Sequence, residues 1–293
     1  MSKKSTGRFA RVDQRDIHYI DEGTGQPLVL LHGWGFDHSA WRPMIDRLRS
    51  RYRVIAVDVR GHGRSQGAAS AYRMKDLSSD LFGLLAELNL PKAPVLIGHS
   101  LGGSIVQQFA VDHPLVARAL VIMDSDLNPP INRLLMGTVT RISSFVMRLA
   151  ARLLGGKRSL GLYSPLLNVA TYSSGWRKAH SDLVMEAAHK FLDNNVPDLT
   201  RSLVAWGTRP DLADALVSVS SPTLLIRGSK DLIVTEAKMS ALSRALPGAR
   251  RSVVEGSGHA IISEQPDAVV AMIDSFIREV ASAPEWNAIA EIA

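Results

Sequence analysis

Five short, uninterrupted apolar runs constrain this chain more than any other feature: residues 28–31 (LVLL), 54–57 (VIAV), 95–97 (VLI), 120–123 (LVIM) and 223–226 (TLLI). Each is too short for a core helix, and the absence of polar alternation suits strands buried on both faces of a parallel sheet. Helical patterns separate them at 40–48, 74–88, 101–111 and 235–246, and another at 267–280 follows a last strand at 251–254. Residues 9–12 and 17–19 read as two further short strands near the start. Strand, crossover helix and strand at this spacing predict βαβ units and a mostly parallel sheet covered on both sides. With 293 residues, 46% apolar and 21% charged, the chain is long and apolar enough to bury a substantial core.

The alternation stops after Asp126, and residues 127–210 hold only helical pattern, broken at Gly155–Gly156 and at Ser173–Ser174–Gly175. The predicted organisation is an α/β core formed by residues 1–126 and 211–293, with 127–210 as a helical cap or lid inserted between two strands. In its first helix Leu135, Val139, Ile142, Val146, Leu149 and Leu153 recur at steps of three and four, while Arg141, Arg148 and Arg152 fall on another side. That apolar stripe is expected to face the site and to suit an acyl chain or other hydrophobic group.

Charge is distributed unevenly. The net formal charge is +6, yet residues 127–181 contain eight of the 34 Lys and Arg and none of the 28 Asp and Glu. The rest of the chain is therefore slightly acidic. Neither a recognition motif nor stacking aromatics accompany the cations, which argues against nucleic acid as a partner. They either solvate the outer side of the inserted helices or dock an acidic surface, an anionic membrane or an acidic acyl carrier protein. There are no cysteines, so disulfides, thiolate metal sites and cysteine nucleophiles are excluded. The first residues are polar and basic without an apolar stretch behind them, and no run approaches the eighteen or so uncharged apolar residues of a membrane span. A soluble, cytoplasmic protein is expected, with peripheral membrane contact if the cations dock there.

Three sites far apart in sequence carry the chemistry. Gly98–His99–Ser100–Leu101–Gly102 matches G-x-S-x-G, follows the run VLI and opens onto a helical pattern, which is the strand–turn–helix context that motif requires. A serine hydroxyl needs a base within hydrogen-bond reach, itself oriented by an acid. His259, in Gly256–Ser257–Gly258–His259, follows the last strand, and Asp231 follows the strand before it. The order Ser100, Asp231, His259 is the one the elbow motif predicts.

On these residues the sequence resembles the α/β-hydrolase fold family over nearly its whole length. His32–Gly33–Trp34–Gly35 is similar to that family's oxyanion-hole segment, and residues 58–65 (DVRGHGRS) to the loop after its next strand. The resemblance implies a triad of Ser100, Asp231 and His259, with the backbone N–H groups of Trp34 and Leu101 as the oxyanion hole. Epoxide hydrolases and haloalkane dehalogenases of this fold carry Asp at the nucleophile position, so Ser100 argues against both. The HGWG segment followed by Trp41 is similar to esterases acting on pimeloyl-carrier-protein methyl esters, and the insertion resembles the lid of monoacylglycerol lipases.

Other polar residues have plainer roles. His32 and His62 are expected to make structural hydrogen bonds at loop bends, and His99 to pack beside the nucleophile. Asp124, at the end of LVIM, is an alternative triad acid, since some members of the family place it there; Asp231 is favoured. His180 and His189 lack carboxylates at metal-ligand spacing, so no metal is assigned, and the expected reaction requires no cofactor. That reaction is hydrolysis of a hydrophobic carboxylic ester through an acyl-enzyme. A carbon–carbon bond hydrolase, a cofactor-free perhydrolase and a ligand-binding receptor on the same scaffold are the alternatives.

Overall fold

The computed structural model describes residues 7–67, 72–127 and 130–282, with the side chains of 130–133 outside the description, Arg133 among them. All the expected strands are present: β1 (Arg8–Val12), β2 (Arg15–Glu22), β3 (Pro27–Leu31), β4 (Arg53–Val57), β5 (Val95–His99), β6 (Ala119–Met123), β7 (Thr223–Gly228) and β8 (Arg250–Val254). They form one sheet in the order β1-β2-β4-β3-β5-β6-β7-β8, antiparallel at the β1–β2 and β2–β4 pairs and parallel at the rest. The predicted helices flank it: α1 (Arg42–Leu48), α2 (Met74–Leu88) and α3 (Leu101–Asp112) in the first half. The chain then leaves the sheet for α4 (Pro130–Leu154), α5 (Gly156–Thr171), α6 (Ser174–Ala179), α7 (Ser181–Leu192) and α8 (Val196–Gly207). It returns through α9 (Ala213–Leu216), and α10 (Glu236–Ala245), α11 (Ile261–Glu264) and α12 (Pro266–Ser282) complete the second half.

The apolar runs divide between two layers. In β3, Val29 and Leu31 face α2 and α3, whereas Leu28 and Leu30 face α1 and α12; all four are at most 2% exposed. Leu77, Leu81 and Leu84 of α2 and Ile105 and Phe109 of α3 fill the first layer, and Met44, Ile45, Ile273 and Phe276 fill the second. Two-sided burial explains why these strands carry no polar alternation. The chain order reverses at the β3–β5 pair, where Leu31 lies opposite Gly98, and ligands in open parallel sheets bind beyond the strand ends at such a reversal. The carboxyl ends of β3 and β5 carry Trp34 and Ser100.

Helices α4, α5, α7 and α8 build a small apolar cluster of their own from Met147, Leu160, Phe191, Val196 and Leu199, with Trp34 of the core packed against it. The apolar stripe of α4 departs from expectation. The buried positions of α4 are Gly137, Thr140, Ser144 and Met147, and they form a narrow seam against α8: the Ser144 hydroxyl donates to the Thr200 carbonyl at 3.2 Å. Leu135, Val139, Ile142, Val146, Leu149 and Leu153 point the other way and are exposed, so they do not line the site. The close seam explains the inversion. Gly207 of α8 leaves no room for a side chain beside Thr140, and a helix that approaches so closely must present small residues there. Segment Leu134–Leu154 also has the length and mean hydropathy, 1.2, to cross a membrane by composition, a property that the interspersed arginines hid from a search for uncharged runs.

Candidate active site

Ser100 sits at the junction of β5 and α3 with φ +54° and ψ −115°, a conformation that costs a non-glycine residue on the order of 1–3 kcal/mol. The turn is held from several sides. Ser100 N–H donates to the Met123 carbonyl at 2.9 Å, and Gly102 N–H to the His32 carbonyl at 3.1 Å. The motif's glycines follow from crowding: a Cβ on Gly98 would lie 2.3 Å from the Gly102 oxygen, and one on Gly102 would lie 2.0 Å from the Leu31 oxygen. The tight turn thus lifts the half-buried Ser100 hydroxyl above the sheet edge, at the N-terminus of α3.

The two distant residues meet it there. His259 Nε2 is 2.9 Å from Ser100 Oγ, and His259 Nδ1 is 2.8 Å from Asp231 Oδ2. Asp231 Oδ1 accepts N–H groups from Ile233 at 2.7 Å and Val234 at 3.0 Å, which fixes the carboxylate plane. Burial raises the Asp231 pKa, but the His259 hydrogen bond and charge and the Val234 N–H outweigh it, so the carboxyl titrates below its ordinary value. An ionised Asp231 keeps a proton on Nδ1 and leaves Nε2 free to accept one from Ser100.

Asp124 is close by but is not placed to serve the imidazole in this way. Fully buried at φ +44°, it accepts Gly228 N–H on Oδ1 at 2.9 Å, and its Oδ2 stands 3.9 Å from His99 Nε2. Burial and the charge of Asp231 push its carboxyl well above the usual range, which disfavours the charged form that would pair with an imidazolium. His99, beside Ser100 as expected, donates from Nε2 to the His259 carbonyl at 2.7 Å and so supports the His259 loop. Burial pushes its ring down to about 3, and it stays neutral.

The turn after β3 completes the cleft. His32 Nδ1 donates to the Gly33 carbonyl at 2.8 Å while Nε2 accepts Val59 N–H at 3.0 Å, the structural role expected of it. Trp34 Nε1 donates to the Leu199 carbonyl at 2.9 Å, and Asn194 Nδ2 to the Gly35 carbonyl at 2.9 Å, so α7 and α8 hold this turn from above. Among the described residues, the backbone N–H groups of Trp34 and Leu101 enter none of the hydrogen bonds that tie these turns together.

Two features gave no readable signal. Glu264 joins the His259 loop to the inserted helices: its carboxylate accepts Gly258 N–H at 3.1 Å and, at 2.9 and 2.5 Å, the Ser173 N–H and hydroxyl. Ala260 N–H also donates to the Thr171 carbonyl at 2.9 Å. Elsewhere, fully buried Asp58 takes Nδ1 of His18 at 2.8 Å and of His38 at 2.7 Å, and Arg64 N–H at 2.8 Å, which fastens the 58–65 loop. Burial opposes ionisation of Asp58, but hydrogen bonds from both imidazoles lower its carboxyl far below the usual range.

Among the described residues, His18, His38 and Asp58 form one of two clusters with several potential metal donors, and His99, Asp124 and His259 form the other. In both, ring nitrogens are already engaged: Nδ1 of His18 and His38 by Asp58, both nitrogens of His259 by Ser100 and Asp231. A cation would have to displace those bonds.

The family model described as the alpha/beta hydrolase family matches residues 28–272. A 2-(acetamidomethylene)succinate hydrolase of Mesorhizobium japonicum is 28% identical, covering 89% of this chain and 91% of its own. A pimeloyl-[acyl-carrier protein] methyl ester esterase of Aeromonas hydrophila is also 28% identical, covering 87% and 96%. Among solved structures, a thermophilic esterase from Thermogutta terrifontis superposes with a TM-score of 0.82 at 25% identity, covering 94% of this chain and 99% of its own.

Proposed function

The chain belongs to the alpha/beta hydrolase family, and we propose that it hydrolyses a carboxylic ester of a hydrophobic acyl group at Ser100. The carrying observation is the unbroken chain of contacts Asp231–His259–Ser100, with Ser100 on a strained turn that the surrounding backbone enforces.

In this reading Ser100 Oγ attacks the ester carbonyl as His259 Nε2 takes its proton, and Asp231 stabilises the resulting imidazolium. The oxyanion is held by the N–H groups of Trp34 and Leu101, each worth on the order of 10²–10³ in rate. Collapse of the tetrahedral adduct breaks the bond to the alcohol, which leaves with the proton from His259. Water then attacks the acyl-enzyme by the same route, its proton passing through His259 back to Ser100, and the acid departs. Residues 127–210 act as a lid over this cleft. The hydrophobic preference is supported by the Trp34 side chain, which joins the apolar cluster of Phe191, Leu199 and Met147 beside the proposed oxyanion donors. The esterases among the similar proteins point the same way.

The test combines labelling with a substrate series. An organophosphate should modify Ser100 alone, located by peptide mass mapping, and turnover of p-nitrophenyl esters should rise from acetyl to longer acyl chains. Modification elsewhere, or faster cleavage of ring-fission diketo acids than of any ester, overturns the assignment.

A further inference from the structure

We propose that the outward face of α4 and α5 is a docking surface for an anionic lipid bilayer, with α4 lying along the membrane plane. The inference concerns attachment and stands whatever bond Ser100 cleaves.

The first observation is the inverted pattern of α4. A helix at a water-facing surface buries its apolar stripe and exposes its polar one. Here the seam against α8 is made of Gly137, Thr140, Ser144 and Met147, whereas Leu135, Ile142, Phe145, Val146, Leu149 and Leu153 are 45–75% exposed. Leu162, Leu166 and Val169 of α5, which packs on α4, are exposed as well. Exposed apolar surface on this scale marks something that covers it.

The second observation is charge. Arg141, Arg148 and Arg152, at steps of seven and four, run along one flank of the exposed ridge, and Arg158 stands at the start of α5. Among the described residues none of these four is paired with a carboxylate; Lys157 alone among the lid-side cations near them meets one, Asp193 at 2.8 Å. An apolar ridge bordered by arginines, whose aliphatic stems follow the ridge while their guanidinium groups reach the headgroups, is the pattern of an interfacial helix.

The same charges choose between occupants. A second copy of the chain would bring two sets of unpaired arginines together, and residues 127–181 offer no Asp or Glu to complement them. A bilayer of anionic lipids supplies both the apolar layer and the negative surface. The helix lies along the bilayer and does not cross it, because the seam with α8 holds it to the rest of the molecule and its arginines recur along its length. From Leu134 to Leu154, 21 residues, it presents a ridge about 31 Å long.

The test is flotation of the full chain with vesicles of phosphatidylcholine alone and of phosphatidylcholine mixed with phosphatidylglycerol. Binding is expected to the mixed vesicles only and to weaken as salt shortens the Debye length below its physiological value of about 8 Å. The triple variant Arg141→Gln, Arg148→Gln, Arg152→Gln should lower vesicle binding by about tenfold or more, given the attraction of each basic residue to an anionic surface. Ile142→Gln with Phe145→Gln should abolish it. Hydrolysis of a small soluble ester and the circular dichroism spectrum should be unchanged in both, which separates loss of docking from loss of fold. Three results overturn the proposal: no attachment of wild type to anionic vesicles, attachment indifferent to the arginine substitutions, or a dimer in sedimentation that Phe145→Gln dissociates. Attachment to an acidic acyl carrier protein without attachment to vesicles overturns it as well.

Discussion

Leucine has opposite fates in two parts of this molecule. Leu28 and Leu30 of β3 have no exposed surface, whereas Leu135 and Leu153 of α4 are 63% and 75% exposed. Both sets were marked in the sequence by apolar pattern, an uninterrupted run in β3 and steps of three and four in α4. The difference teaches that such a pattern identifies a surface to be covered and the element that carries it, but not what does the covering. In the sheet both faces are covered by packed helices, β3 by α2 and α3 on one side and by α1 and α12 on the other. In α4 the buried side is decided by α8, far along the chain, whose Gly207 and Thr208 admit only small residues opposite.

If the sheet side carries the chemistry and the outer face of α4 carries none, Ser100→Ala and His259→Ala should each lower ester turnover by roughly 10⁶, and together scarcely further, because such residues act as a unit. Steady-state kinetics checks this, and turnover retained in Ser100→Ala breaks the division. Asp231→Asn should cost about 10⁴ by disturbing the imidazole tautomer. Asp124→Asn replaces a carboxyl whose charged form burial already disfavours, and it should cost far less.

The sheet side should also be acid-sensitive. Burial lowers the rings of His32, His62 and His99, the last two to about 3, so between about 3 and 6.5 His62 and His99 are neutral when folded and protonated when unfolded, and His32 shifts in the same direction. The unfolded chain then binds more protons, and stability falls as the pH drops through 6.5, by up to about 1.4 kcal/mol per pH unit for each ring. His38 works against this trend. Burial disfavours its charge, but Asp58 outweighs burial and raises its pKa, so its contribution is complete below 6.5 and is lost as the pH climbs through the higher folded value. Thermal unfolding at pH 5 and pH 7 should show the net acid destabilisation. An unchanged midpoint would mean that these rings are solvated.

The smallest effects are the sharpest contrast. Leu30→Ala should cost about 2–5 kcal/mol in denaturant unfolding, as a buried core truncation does. Ile142→Ala, a comparable deletion at a 59% exposed position, should stay within about 0.5 kcal/mol. Equal losses at the two positions would show α4 to be covered from within the chain.

The sheet and the meeting of Ser100, Asp231 and His259 were legible because their signals are short-range. Every strand of the sheet was anticipated, and Ser100, Asp231 and His259 each stand within a few residues of a strand end, where the chemistry of a parallel sheet collects. The Asp58 cluster was not legible, since a histidine in β2 and another before α1 carry no mark of a shared carboxylate. The orientation of α4 was misread because a stripe of leucines and valines on a helix normally points inward. Glu264 gave no warning either: a lone acid between two apolar stretches looks like any helix terminus.

That glutamate has a mechanical meaning. One carboxylate grips both the loop that presents the imidazole and the start of α6, and the Thr171 carbonyl adds a second tie between the same two parts. Any displacement of α5 and α6 away from the sheet must break these bonds or drag the histidine with it. On the proposed reaction, opening and readiness to react would therefore be interlocked: a molecule swung wide enough to unfasten Ser173 would loosen the hold on His259, and would regain that hold only by closing.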